Sequence, residues 1–471
     1  MQKKIKNRDI LLSHGDIESR RIVLDIAEAT LQRLDSYKRI KSIAHMEGDT
    51  LYIGVKNWDL SKKKNVYLIG AGKACNAMAM AIDEILGDHL TKGIAIVKIS
   101  ENTDVFTKTE VFVGGHPLPN ERGLFACQEI IRLVDSATPE DLFIIVISGG
   151  SSALMSCPVD GISLQDEIDT TDILLKSGAG IRDINAVRRH ISQLNGGMLA
   201  KRIEVSGAEL IGFGISDAVG SPATKNIEVP YIKYKGTPMG PDITTLQDAR
   251  RVIKDYELEE RLPRSVVKYL MNAGPECETP KSFPQNTYFL LNTLPDSCLY
   301  AKEAAEKMGL SAVILSSFLE GESKDAGTFF ASIAKEIQAY GNPVKAPCVL
   351  LSSGETTTKI LDNSTITGHG GPGQELTAGF ALAASGTTGC CMLSIDSEGT
   401  DGTTDVAGGL TDSQSYSMSL EKKVDLFASL RGHACYEALR TIGDTVFTGN
   451  TGTNLCDFNI LYVPEIINKL K

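Results

Sequence analysis

Val66-Tyr-Leu-Ile-Gly-Ala-Gly-Lys-Ala74 and Leu142-Phe-Ile-Ile-Val-Ile-Ser-Gly-Gly-Ser-Ser-Ala153 share one pattern, a short apolar run and then a glycine-rich turn. Apolar runs of this length, rich in β-branched residues, read as buried strands, and the residues after each turn read as a helix. Both turns are therefore expected to present backbone N–H groups at a helix start, which is anion-binding architecture. Two such turns in one domain, one of them carrying Lys73, point to phosphate chemistry.

The same alternation extends along the chain. Residues 15–40 read as an amphipathic helix with Val23, Leu24, Ala27, Leu31 and Leu34 on its apolar stripe. Strands are expected at 94–99, 110–113 and 210–215, and helices at 123–134 and 181–200. Strand and helix in alternation predict an α/β fold, a parallel sheet with helices on both faces. At 254–284 the sequence becomes charged and carries Pro263, Pro275, Pro280 and Pro284, which marks a boundary between a domain at 1–253 and a second at 285–471. The second repeats the alternation, with strands at 288–291, 312–315, 348–351 and 391–395.

Composition bounds the partners. The 471 residues include 59 acidic and 48 basic side chains, a net charge of −11, which disfavours nucleic acid and anionic membrane but not a small anion in a local pocket. Ten cysteines without a CxxC pair, and no secretory leader, read as reduced thiols in the cytoplasm. No apolar run approaches the roughly 18 residues of a membrane span. An oligomer is compatible with all of this.

The first turn is neither a P-loop, which needs four residues between its first Gly and the Gly-Lys, nor a dinucleotide turn, which needs a small residue where Cys75 stands. A lysine at a helix start opposes the helix dipole, so Lys73 reads as a functional cation. The second turn offers the N–H groups and hydroxyls of Ser148, Gly149, Gly150, Ser151 and Ser152 to an anion. It also nearly fits a nucleophile elbow, with His190, His369 or His433 as partner, and a tight turn with capping serines fits as well. Asn185 and Arg188 stand three apart on one helix face, placed to hold a substrate carboxylate or simply solvated. Asp217 ends an apolar run, where open α/β sheets place catalytic groups; it suits Mg²⁺, a substrate proton or an Asx-turn. Four Gly/Thr/Asp-rich stretches, at 352–358, 368–375, 396–405 and 448–454, would line one sheet edge and suit a polyanion, though each alone reads as a turn.

Taken in order, Gly70-Ala-Gly-Lys-Ala74, Gly114-Gly-His-Pro-Leu-Pro-Asn120, Ser148-Gly-Gly-Ser-Ser-Ala-Leu154, Leu174-Leu-Lys-Ser-Gly-Ala179, Asn185-Ala-Val-Arg188, Ser216-Asp217, Gly354-Glu-Thr-Thr357, Gln374-Glu375, Gly399-Thr-Asp-Gly402, Thr404-Asp405 and Thr451-Gly-Thr-Asn454 resemble the class II glycerate kinases. The resemblance covers nearly the whole chain. It implies a Rossmann-like N-terminal domain, a C-terminal MOFRL-type domain, and transfer of the ATP γ-phosphoryl group, with Mg²⁺, to a hydroxyl of glycerate, usually the 2-hydroxyl. It implies Lys73 as a catalytic lysine, with the glycine-rich and acidic loops on nucleotide and metal; Asp217, read above as a base or metal ligand, and Ser148–Ser152, Asn185 and Arg188, read above as anion and carboxylate binders, are then expected in catalysis and on the acceptor. Glu355, Thr356, Gly370, Gly371, Gln374, Glu375 and Thr400 are then expected on the nucleotide, and Asp217, Asp401 and Asp405 on the metal.

Two departures stand out. Where the family commonly reads Gly-Gly-Arg-Asn-Gln-Glu, this chain reads Gly370-Gly-Pro-Gly-Gln-Glu375, so Pro372 replaces a cation whose charge Arg188 or Lys235 would have to supply. The stretch 218–242 also lacks the family's Ser-Gly-Pro-Thr. Two rival readings are a hydroxypyruvate-type oxidoreductase and a ligand-binding homologue without catalysis.

Overall fold

The computed structural model describes residues 3–101, 104–220, 227–230, 237–360 and 363–466. The chain divides into two compact units, Ser36–Ile215 with Lys225–Leu291, and Met1–Asp35 with Ser216–Thr224 and Asn292–Lys471. The division is discontinuous in sequence, unlike the one read from composition. Residues 254–284 lie inside the first unit, where helix Arg264–Asn272 buries Val266 and Leu270 against Ile184, Val187 and Val252. Its prolines and charges belong to the connections around that helix.

In the first unit a hairpin sheet of β1 (Ala44–Glu47), β2 (Thr50–Ile53) and β3 (Lys56–Asp59) precedes the main sheet. That sheet contains β4 (Asn65–Ala71), β5 (Lys92–Val97), β6 (Thr109–Val113), β7 (Asp141–Ile147), β8 (Glu209–Ser216), β9 (Glu228–Val229) and β10 (Thr287–Thr293), in the order β6-β5-β4-β7-β8-β10-β9. β4 to β8 pair in parallel, and β9 runs antiparallel to β10. β7 is buried at every position because both sheet faces are covered. Ile69, Ile94, Phe143 and Ile145 pack with Ala126, Ile130 and Val134 of helix Glu121–Asp135 and Ile203 of helix Met198–Ser206. The opposite face takes helix Cys75–Leu86 so closely that a Cβ on Gly70 would stand 2.5 Å from Cys75 Sγ and 2.9 Å from Val146 Cγ2. Parallel pairing puts the loops after β4, β6 and β7 at one edge.

The stretch 181–200 is not one helix. Helix Ile181–His190 ends, Gly196 and Gly197 take positive φ of 64° and 83°, and a new helix begins at Met198. Ile191 and Leu194 are still buried, which is why the apolar stripe reads as continuous.

The second unit carries β11 (Ser311–Glu322), β12 (Cys348–Thr357), β13 (Cys391–Asp396), β14 (Gly408–Asp412), β15 (Thr445–Val446) and β16 (Asp457–Val463), in the order β11-β12-β16-β13-β14-β15. Only β11 and β12 pair in parallel; the other neighbours are antiparallel. One face meets Val23, Leu24, Ala27 and Leu31 of helix Ile17–Leu34, through Val349, Leu351, Leu393 and Ile460. The alternate residues Cys348, Leu350, Met392 and Leu461 meet Phe330 of helix Ser323–Tyr340 and Leu376 and Phe380 of helix Pro372–Ala383. Residues 352–357, expected as a loop, continue β12. Among the described residues no helix is long and apolar enough to cross a membrane.

Candidate functional site

The turns after β4 and β7 are hydrogen-bonded to each other. Ser148 N–H donates to the Ala71 carbonyl (3.2 Å), Lys73 N–H to the Gly149 carbonyl (2.9 Å) and Ala74 N–H to Ser148 Oγ (3.0 Å). Gly72 N–H donates to the Ile96 carbonyl and Cys75 N–H to that of Gly72. The first turn therefore does not present its N–H groups outward, contrary to the expectation from sequence; the Ser148 hydroxyl satisfies one of the orphan donors at the start of helix Cys75–Leu86. Gly72 is required there, since its φ is 137° and a Cβ would lie 2.1 Å from Ser148 Oγ. What this turn contributes is the Lys73 side chain.

The second turn is different. Among the described residues the N–H groups of Gly149, Gly150, Ser151 and Ser152 donate to no protein acceptor. The helix beginning there is the single turn Ser151–Leu154. Gly150 has φ of 84°, and a Cβ there would stand 3.0 Å from Lys73 Cγ and 3.1 Å from His116 Nε2. Three loops, those after β4, β6 and β7, thus converge on Gly150. His116 belongs to the Gly-Gly-His-Pro stretch, to which sequence reasoning gave no role; a histidine between glycines and prolines at a strand end is the signal that could have marked it. The nucleophile-elbow reading loses His190, whose two ring nitrogens are engaged with the Ala186 carbonyl (2.7 Å) and Glu278 (2.9 Å); His369 and His433 bond Glu437 and Glu375 through Nδ1 (2.8 Å each).

Behind this turn Asn185 and Arg188, from helix Ile181–His190, line one small cavity with Ser152, Glu167, Arg189 and Asn195. Arg189 is paired with Asp242 at 2.9 Å. Arg188 has no hydrogen-bond or ion-pair partner within the described residues; burial draws its pKa below the usual arginine range, and the Glu167 charge opposes that shift. Burial conversely raises Glu167, against a hydrogen bond with Ser156 and the charge of Arg188. Glu167 stands with Leu164, Thr170 and Leu174 on the buried stripe of helix Leu164–Lys176. A carboxylate on an apolar stripe is the sequence signal that could have found it. Lys235 lies outside the described residues.

In the second unit the four Gly/Thr/Asp stretches do meet at one sheet edge. A Cβ on Gly371 would lie 2.3 Å from the Asp401 carboxylate, one on Gly402 2.3 Å from the Gly370 carbonyl, and one on Gly399 1.9 Å from the Gly449 carbonyl. Leu455 N–H donates to Ser397 Oγ at 2.7 Å. Much of the expected ligand chemistry is engaged internally. Asp401 is 1% exposed and accepts from the N–H groups of Gly373 (3.2 Å) and Gln374 (2.9 Å) and from Gln374 Nε2 (2.9 Å), capping helix Pro372–Ala383. Burial raises its pKa to about 6 in spite of those donors. Thr356 and Gln374 are buried, and Thr356 accepts from Ser323 Oγ. Glu375 is held by His433, and Thr400 donates to Glu398 (2.6 Å). Asp401, Thr356 and Gln374 thus shape the loops, while Glu355, Gly370 and Thr400 keep exposed surface. Pro372 occupies the first turn of its helix, where a missing N–H is harmless.

The carboxylates expected on a metal have separate partners. Asp405 accepts from Tyr436 Oη (2.8 Å), Asp401 caps its helix, and Asp217 accepts from Asn454 Nδ2 (3.1 Å). Among the described residues no three His, Cys, Asp or Glu side chains form a group that could hold a metal ion. The set Asp217, Asp401 and Asp405 does not fit one. Carboxylate charge gathers instead around Cys456, whose thiol pKa is raised by burial and then by Asp217, Glu355, Asp396 and Asp457. Its Sγ lies 3.4 Å from the Asp217 carbonyl.

The comparisons with known proteins place both units. A family model described as a domain of unknown function (DUF4147) matches residues 22–271, and the MOFRL family model matches residues 348–457. The chain is 37% identical over 442 residues to a glycerate 2-kinase of Pyrococcus horikoshii, covering 93% of this chain and 96% of that protein. It is 34% identical over 397 residues to a D-glycerate 2-kinase of Thermotoga maritima, with 84% and 90% covered. The crystal structure of the Thermotoga maritima glycerate kinase superposes with a TM-score of 0.78 at 30% identity, over 94% of this chain and 99% of that one.

Proposed function

The chain belongs to the class II glycerate kinase family, and from that premise we propose that it transfers the γ-phosphoryl group of ATP to the 2-hydroxyl of glycerate. The hydroxyl oxygen attacks Pγ, the bond from Pγ to the oxygen bridging to ADP breaks, and the hydroxyl proton leaves to a carboxylate, the role we give Asp217.

The observation that carries the acceptor side is the unpartnered set around the second turn, the N–H groups of 149–152 and the Arg188 guanidinium beside Ser152. The Arg188 guanidinium is half-buried and has no protein partner among the described residues, and an acid's carboxylate supplies the bidentate partner it lacks. Asn185, one turn earlier, directs the same anion. Lys73 and His116, flanking Gly150, supply positive charge and a donor to phosphoryl oxygens, where catalysis of this transfer is mostly positioning and electrostatics. Glu355, Gly370 and Thr400, which keep exposed surface, are the residues we assign to the nucleotide. Mg²⁺ bound to nucleotide takes only one or two protein carboxylates, so Glu355 with Asp396 or Asp457 would supply its hard-oxygen donors without a preformed cage. When bound, the ion neutralises phosphate charge.

The test is a coupled assay with ATP, Mg²⁺ and D-glycerate, the product resolved by ³¹P NMR. We expect 2-phosphoglycerate, and for Arg188→Ala a KM for glycerate raised about 10- to 100-fold, the range for one charged hydrogen-bonded contact. Absence of ATP-dependent product, with NADH consumed on hydroxypyruvate instead, would overturn the kinase reading in favour of the reductase. Tight ATP binding without turnover would favour the non-catalytic homologue.

A further inference from the structure

The cavity behind Arg188 is lined by two residues with buried acceptor atoms that nothing among the described residues satisfies. Glu167 Oε2 and Asn195 Oδ1 are buried without a hydrogen-bond partner, in side chains of residues 3% and 5% exposed. The orientation of Asn195 is fixed, because its Nδ2 donates to the carbonyls of both Ser152 (3.3 Å) and Met155 (3.2 Å), leaving Oδ1 to the cavity. Arg188, on the same cavity, is the donor without an acceptor. The space is ≈ 10 Å³, room for about one oxygen atom.

The chemistry of that oxygen is set by its neighbours. A carboxylate in the cavity would be repelled by Glu167, and an ammonium by Arg188 and Arg189. A neutral hydroxyl satisfies both sides, since it accepts from the guanidinium and donates to Glu167 or Asn195. Arg188 has five N–H donors, more than one carboxylate uses, so it can serve a carboxylate on one edge and a hydroxyl on the other.

We propose that Glu167 and Asn195, with Arg188, form a hydroxyl-reading subsite that takes the acceptor's second, untransferred hydroxyl. The inference rests on the reading that Arg188 holds the acceptor's carboxylate. A hydroxyl enclosed here is shielded from a phosphoryl donor, so the acid is one with vicinal hydroxyls of which only the other reacts. Glu167 and Asn195 are specificity residues; neither takes part in phosphoryl transfer. A buried site built to bond a hydroxyl rejects the analogue lacking it by far more than a methyl-for-hydroxyl change costs in an apolar pocket, because its own polar groups stay unpaired.

The experiment compares kcat/KM for D-glycerate and D-lactate, which differ only in that hydroxyl, in the wild-type protein, Glu167→Gln and Glu167→Leu. The wild type is expected to prefer glycerate by about 10³-fold or more. In Glu167→Leu the preference falls to about 10-fold or less, mainly through loss of glycerate activity, and in Glu167→Gln, which keeps an acceptor oxygen and the shape, it falls to an intermediate value. Circular dichroism and melting establish that each variant is folded; if Glu167→Leu is not, the decision rests on Glu167→Gln. A preference unchanged in a folded variant, or glycerate and lactate lost in equal proportion, overturns the subsite. Failure of the wild type to phosphorylate glycerate overturns the kinase reading and is seen before any variant is made.

Discussion

Lys73→Ala removes an ammonium and leaves the Lys73 amide free to donate to Gly149 as before. Turnover is therefore expected to fall about 10²- to 10³-fold, as when one transition-state donor is lost, with the melting temperature nearly unchanged. Steady-state kinetics beside a thermal melt check both halves; a full-rate variant removes Lys73 from the chemistry. At this scale the sequence shows which residues carry unusual chemistry better than where each polar atom points. Lys73, Asn185 and Arg188 were legible because a cation at a helix start, or two polar groups three apart on a helix, has few structural uses. Ser148 was expected on an anion and instead caps the helix after Lys73, a bond between segments 74 residues apart that no local pattern encodes. Glu167 and His116 went unassigned for the same reason, since their meaning depends on what folds against them.

Helix Pro372–Ala383 shows what an element adds. Its first N–H groups bond to the buried Asp401, whose pKa of about 6 lies above the ordinary aspartate value near 3.9. Between roughly pH 4 and 6 the folded state retains a proton that the unfolded chain has lost, so this group's contribution to stability falls as pH rises through that window. Asp401→Asn has no such slope. The difference in denaturation midpoint between wild type and variant is expected to move against the wild type from pH 4.5 to 7, by urea titration at several pH values; a pH-independent difference would show that Asp401 is ionised throughout. The apolar cores of the strands were plain in the sequence, their ends were not. Apolar residues stop at Leu351, yet β12 runs on to Thr357 because its backbone stays paired, with both β11 and β16 as far as Gly354 and with β11 alone beyond it, and the ladder needs no apolar side chain.

The whole molecule is assembled from segments far apart in sequence. Arg20, fully buried, bridges helix Ile17–Leu34 to Asp412 and Asp444 and so fixes the N-terminal segment to the sheet of the second unit. Removing one partner of such a buried network is costly, so Arg20→Ala is expected to lower unfolding free energy by about 3–5 kcal/mol, measured by chemical denaturation. A loss under about 1 kcal/mol would mean that the apolar stripe of Val23, Leu24 and Leu31 alone holds the helix. The α/β class was legible from periodicity, but the membership of residues 1–35 was not, because an amphipathic stripe shows that a helix is covered and never by what.

That membership bears on how the protein is made. Helix Ile17–Leu34 leaves the ribosome early, while β16, which lies between β12 and β13 and completes the face the helix covers, is translated last of the strands in its sheet. At synthesis rates of roughly 5–20 residues per second, the apolar stripe waits on the order of tens of seconds for its partner. During that interval the nascent chain offers chaperones an exposed hydrophobic helix ahead of a unit, Ser36–Leu291, most of whose sequence is already available to fold. A premature stop before Asp457 would leave the helix waiting and take the middle strand out of the sheet.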